Sequence, residues 1–268
     1  MQKIEVDGVA LACQIEGSGS ETVVLLNGIA MTMSHWKPVA DRLLAAGYRV
    51  LLHDMRGQLL SGRPDGPYSL ELHARDLACL MATLGIENAH IAGTSYGAEA
   101  GLCFARDFPR RCLSLTCIDG VSEYDAVLGT AVESWKAAAL SDPRVFYKAI
   151  IPWNYSAAYI VSHKEFLADR EGKVASLPPD YFVAFSRLCD AFLAIDLTKD
   201  LGSIRCATMA LVGSADILKP PFYSRVIANG IPGCRYQELS GAGHAVVLEQ
   251  PEAVADALLG FLGELSKG

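Results

Sequence analysis

No apolar run in this chain approaches the roughly 20 residues needed to cross a bilayer. Nor does a basic start lead through an apolar stretch to a small-residue cleavage site, because MQKIEVDGVALACQIEG alternates polar and apolar residues. Neither a membrane span nor a secretory leader is expected. Basic charge is also short: 23 lysines and arginines stand against 30 acidic residues, a net charge of −7 that gives no footprint for nucleic acid. Charged residues make up 20% of the chain and hydrophobic residues 51%, which excludes a disordered polyelectrolyte. The eight cysteines include no C-x-x-C pair and lie mostly in apolar settings such as LACLM, GLCFA and LTCID. Reduced, buried thiols of a cytoplasmic protein follow, with no metal site and no cofactor implied. No internal repeat or low-complexity tract appears.

At 268 residues the chain has room for one domain with an insertion. Strand-like runs KIEVDG and ALACQIE form an opening hairpin. ETVVLLN, YRVLLHD, AHIAG, CLSLTCID, CATMALVG and CRYQEL follow, separated by helical patterns that open on Ser or Pro and close on Gly or Pro. Strands alternating with helices predict a parallel sheet covered on both faces, with the antiparallel hairpin at one edge. From Val121 to Leu201 the alternation stops and successive helices are expected, too many residues for a loop. The expected organisation is a core of residues 1–120 and 203–268 with a helical cap of residues 121–202.

Within HIAGTSYGAEAG, residues 93–97 read Gly-Thr-Ser-Tyr-Gly, a G-x-S-x-G pattern that follows a strand and opens a helix. Small residues there allow a strained turn that exposes the Ser95 hydroxyl, and the N–H of Tyr96 falls at a helix N-terminus, where it can stabilise developing negative charge. A neutral serine needs a base and an orienting acid. Of the six histidines, His244 in SGAGHAVVLEQPE stands in a small-residue loop between the last strand and the final helix, placed to cross the top of the sheet. Asp216, just past the strand CATMALVG, is the expected acid, and Asp119 at the end of LTCID is the reserve. The order Ser95, Asp216, His244 is the one found where the serine sits on such an elbow. The second oxyanion donor is expected from Ile29 in LLNGIA, after the first parallel strand. HDMRGQLLSGRP contributes Asp54 and Arg56 as a charged loop anchor.

HDMRGQLLSGRP, GTSYG, LVGSADILKPP and GAGHAVVLEQPE together resemble the α/β-hydrolase superfamily over essentially the whole chain, in particular its esterase and enol-lactonase branch. The resemblance implies an eight-stranded, mostly parallel sheet with a helical cap inserted after strand six. Most of that branch has His-Gly where this chain has Asn27-Gly28. LLNGIA is more similar to intracellular polyhydroxyalkanoate depolymerases and hydroxyacyl transferases, which usually carry Trp where this chain has Tyr96. The expected function is a serine hydrolase of carboxylic esters or lactones with an apolar acyl group. Acyl transfer to a hydroxyacyl acceptor and ligand reception on a hydrolase fold remain as alternatives; dehalogenation is disfavoured, because that branch has Asp at position 95. Trp36, Trp135, Trp153 and Tyr159 are the expected pocket aromatics. The expected partner is a small-molecule ester or lactone, with the protein a monomer or homodimer.

Overall fold

Alternation along the apolar strands decides the layering. In β3, Val24 and Leu26 face one apolar cluster while Val23 and Leu25 face another, so helices must cover both sides of the sheet. The computed structural model describes residues 1–266. Its strands are β1 (Gln2–Val6), β2 (Val9–Glu16), β3 (Thr22–Leu26), β4 (Arg49–His53), β5 (Ala89–Thr94), β6 (Cys112–Ile118), β7 (Ala207–Gly213) and β8 (Arg235–Leu239). They form a single sheet in the order β1-β2-β4-β3-β5-β6-β7-β8. β1 and β2 pair antiparallel at one edge, β2 meets β4 antiparallel, and β4 to β8 run parallel with β3. The expected fold class is the observed one.

The core helices are α1 (Lys37–Ala45), α2 (Leu70–Thr83) and α3 (Tyr96–Asp107). Between β6 and β7 come α4 (Ala126–Ser141), α5 (Pro143–Asn154), α6 (Ala157–Ser162), α7 (Lys164–Ala175) and α8 (Pro179–Leu193); α9 (Pro221–Gly230), α10 (Val246–Glu249) and α11 (Pro251–Leu265) complete the set. α1 and α11 cover one face through Val39, Leu43, Val254 and Phe261. α2, α3 and α8 pack on the other through Leu77, Phe104 and Phe185. Local chemistry sets the helix starts. Ser69 Oγ accepts from Leu72 N (3.1 Å), Asp125 from Leu128 N (2.9 Å), and Asp142, followed by Pro143, from Arg144 N (2.7 Å). The stretch SAAYIVSHKEFLADREG forms two helices, because His163 (φ −121°, ψ 31°) leaves the helical region between α6 and α7. Among the described residues no helix is long and apolar enough to cross a membrane.

Backbone meets backbone closely where α3 lies against the end of β3. A Cβ on Gly97 would lie 2.3 Å from the Leu26 carbonyl oxygen and 2.7 Å from that of Asn27, both backbone atoms. Gly97→Ala should therefore destabilise the fold by ~1–3 kcal/mol or more. Gly260, exposed on α11 with nothing within 4 Å of an added Cβ, should behave oppositely, Gly260→Ala stabilising by ~0.5–1 kcal/mol. Denaturant unfolding of the two variants checks the pair; equal effects would show that the close approach carries no energetic weight.

Candidate active site

Ser95 is the single residue between β5 and α3, and its backbone adopts φ 52°, ψ −121°, a conformation that residues with a side chain rarely take. The surroundings enforce it. Ser95 N–H donates to the Ile118 carbonyl at the end of β6 (2.8 Å). A Cβ on Gly93 would sit 2.1 Å from the Gly97 carbonyl oxygen. Both glycines of the motif are thus required by backbone meeting backbone, and the turn pushes the serine side chain outward.

His244 reaches Ser95 across the sheet top. Its Nε2 lies 2.9 Å from Ser95 Oγ and its Nδ1 2.7 Å from Asp216 Oδ2. Asp216 Oδ1 accepts from the backbone N–H groups of Leu218 and Lys219, at 2.8 Å each, which fixes the carboxylate plane. The other histidines have different environments. His53 is buried without a partner at either nitrogen, and burial lowers its pKa to about 4. His73 Nε2 meets the Tyr96 hydroxyl at 2.9 Å, His90 meets Ser114, His163 stacks on Tyr159, and His35 meets Arg170. Asp119, the reserve acid, lies close by: one of its oxygens, one of Asp216 and one His244 nitrogen lie within 4.8 Å of one another. It accepts from Gly213 N–H (2.9 Å) through Oδ1 and leaves Oδ2 without a partner. Burial, and then the neighbouring Asp216, push its carboxyl well above the usual range.

The loop after β3 is held from behind. Asn27 is fully buried and donates through Nδ2 to the His53 carbonyl, Asp54 Oδ1 and Gln58 Oε1, at 3.0–3.1 Å. Asp54 also accepts from Met33 N–H (2.7 Å), Thr32 and Leu60. Gln58 Nε2 then donates to the Gly28 carbonyl at 2.9 Å. Since the N–H and C=O of a trans peptide point oppositely, this bond turns the Ile29 N–H away from Gln58. The Tyr96 N–H, at the first position of α3, has no intrahelical acceptor. Asp54 and Arg56 both anchor loops, but not each other. Arg56 instead grips Asp76 with Nε and Nη2, both at 2.7 Å, because its side chain turns towards α2.

Sequence reasoning missed one charged pair. Lys219 lies within DILKPP, three residues after Asp216, and a lysine flanked by apolar residues was the available signal. It is 3% exposed, and its Nζ lies 2.9 Å from Glu99 Oε1 and 3.2 Å from Ser95 Oγ, 4.8 Å above the Phe192 ring. Glu99, fully buried on α3, also accepts from Val121 N–H (2.9 Å). Burial raises its carboxyl pKa, and the Lys219 charge works against that rise.

Ser95 borders two cavities that share Ile29, Trp135 and Leu218 in their walls. The larger, of about 90 Å³, is mostly apolar, with Phe146, Tyr155 and Phe185 from the inserted helices. The smaller, of about 20 Å³, is lined by Tyr96, Phe192 and Lys219. Of the four expected pocket aromatics the structure brings Trp135 to Ser95. Trp36 is fully buried in the core beneath α1 and α11. Trp153 lines an outer groove beside Ala126 and Thr130. Tyr159 stands behind Tyr155, stacked on it at 5.2 Å. The three corrections share a cause: aromatics face both sides of a helical layer.

Residues 21–251 match the family model described as the alpha/beta hydrolase fold, and the chain belongs to that family. It is 31% identical over 255 residues, 95% of each chain, to a protein of Azorhizobium caulinodans provisionally named carbamate hydrolase RutD. The enol-lactonase from Burkholderia xenovorans LB400 is 25% identical, with TM-score 0.89 over 97% of this chain and 99% of that one. A thermophilic esterase from Thermogutta terrifontis, with malate bound, is 27% identical, with TM-score 0.88 over 99% of both chains.

Removing one member of a buried ion pair strands the other. Lys219→Met or Glu99→Leu alone should cost ~3–5 kcal/mol, and the double variant K219M/E99L much less than their sum. A double-mutant cycle by chemical denaturation measures this; additive losses would mean that the two charges do not stabilise each other.

Proposed function

We propose that the chain is a serine hydrolase of carboxylic esters or lactones that works through an acyl-enzyme. The observation that carries this reading is the unbroken hydrogen-bonded line Ser95–His244–Asp216 on a strained elbow beside a cavity. Ser95 Oγ attacks the carbonyl carbon while His244 Nε2 takes its proton and Asp216 holds Nδ1–H, keeping the ring oriented. The N–H groups of Ile29 and Tyr96 receive the oxyanion, a role supported by the Gln58 bond behind the first and the helix N-terminus behind the second. Lys219, donating to Ser95 Oγ, leaves the serine proton directed at His244. The proton then passes from His244 to the departing alcohol, and water repeats the sequence to release the acid. In this reading residues 121–202 are the cap and supply most of the acyl-side wall.

Carbamate chemistry, the activity in the RutD name, is a second reading supported by the 31% identity. The same serine would attack a carbamate carbonyl, so turnover of an ester and of the matching carbamate decides between the two.

Ser95→Ala should lower kcat by up to ~10⁶-fold with the fold intact. A fluorophosphonate should label Ser95. Asp216→Asn should cost as much as ~10⁴-fold, since the imidazole then favours the wrong tautomer. Asp119→Asn should cost far less, because Asp119 accepts from Gly213 N–H and makes no hydrogen bond to the imidazole. Mass spectrometry of the labelled protein and steady-state kinetics on p-nitrophenyl esters test all three. Full activity in S95A, or a larger loss in D119N than in D216N, would reject the assignment.

A further inference from the structure

The walls of the larger cavity contain no acidic residue and one permanent cation, Arg170 of α7. Arg170 also lines the open groove outside, where the charged residues are again basic: Arg170 and Lys173, beside His35. This distribution runs against a chain of net charge −7. Arg170 is half-buried, and among the described residues no carboxylate pairs with it. Its Nη1 meets His35 Nε2 at 2.6 Å, on a ring whose pKa burial, and then Arg170 itself, lower to about 4. The opposite edge of the guanidinium meets no carboxylate: Nε is buried without a hydrogen-bond partner, and the neighbour on the cavity side is the Tyr147 hydroxyl. Arg56 uses that same Nε–Nη2 edge to hold the Asp76 carboxylate with two bonds of 2.7 Å. Two further donors on the cavity wall are buried and unpartnered, Tyr147 Oη and Trp135 Nε1. Burial pushes the Tyr147 hydroxyl up to about 12, so it keeps its proton and can donate. A half-buried guanidinium without a counter-charge is unfavourable, and a ligand carboxylate would relieve it.

We propose that the substrate carries a carboxylate at the end remote from the scissile carbonyl, and that the Nε–Nη2 edge of Arg170 binds it, with Tyr147 as the neighbouring donor. The substrate class is then the half-ester or carboxylated lactone of a short dicarboxylic acid. This inference rests on Ser95 being the nucleophile. The apolar wall between Ser95 and Arg170 holds the connecting methylenes, and the basic groove admits the anion.

The test compares p-nitrophenyl half-esters of succinate, glutarate and adipate with the neutral butyrate, pentanoate and hexanoate esters. At one length at least the carboxylated ester should be favoured by about tenfold or more in kcat/KM, the size of a charge-assisted hydrogen bond. In Arg170→Gln the ratio at that length should fall to within about threefold of unity, and Arg170→Lys, which keeps the charge but not the fork, should fall between. A second readout needs no turnover. Calorimetry of S95A should show binding of at least one of succinate, glutarate and adipate that weakens about tenfold or more in S95A/R170Q. Wild-type enzyme without a carboxylate preference at any length, or a preference unchanged in R170Q, overturns the proposal. So does equal dicarboxylate binding by S95A and S95A/R170Q. Failure of Ser95 to take a fluorophosphonate label would instead remove the nucleophile assignment, while the calorimetric comparison still decides the anion site. Should R170Q not fold, the wild-type preference and R170K decide it.

Discussion

The site depends on one close contact, the backbone of Gly97 against the carbonyls of Leu26 and Asn27. That contact sets how far α3 can advance over the end of β3, and so brings the Gly28–Ile29 turn beside Ser95. The strained backbone of Ser95 is a consequence of the same approach, since the chain must turn within one residue to enter a helix already pressed against a neighbouring strand. Side chains elsewhere can shift to absorb a misfit. Two backbones cannot, and the chain has glycine where they meet.

Electrostatics around His244 follow from crowding rather than from surface charge. Glu99, Asp119 and Asp216 are all buried near the imidazole, yet the three carboxyls have different partners. Asp216 is satisfied by backbone N–H groups and the ring, Glu99 by Lys219 and Val121, and Asp119 by Gly213 alone with one oxygen left over. Asp216 alone of the three touches the imidazole nitrogen. The difference lies in hydrogen bonds donated by the chain, which are invisible in residue identities.

The fold was legible because its signals are local and repeated. Strand alternation, helix starts such as Ser69 and Asp142, and the glycines flanking Ser95 each follow from neighbours in sequence. His244 and Asp216 were legible from their places after β8 and β7. What escaped was direction. Trp36, Trp153 and Tyr159 are as aromatic as Trp135, and nothing in their own helices says which side faces the cavity. Arg56 was read with Asp54 two residues away, but a planar fork selects the carboxylate it can meet edge-on, and that one lies 20 residues on. Lys219 escaped for another reason: a lysine is presumed solvated until its carboxylate partner, here 120 residues distant, is known.

The serine in the partition between two cavities has a further consequence. Under the proposed mechanism a molecule attacked there would be divided at the attacked carbon, with what lies on one side in the roomier chamber and what lies on the other towards the smaller chamber beside Lys219 and Phe192. A small ring cannot be divided before it opens and would first have to fit whole on one side, so under the proposed acyl-enzyme mechanism the wall formed by Ile29, Trp135 and Leu218 would discriminate by topology as well as by size.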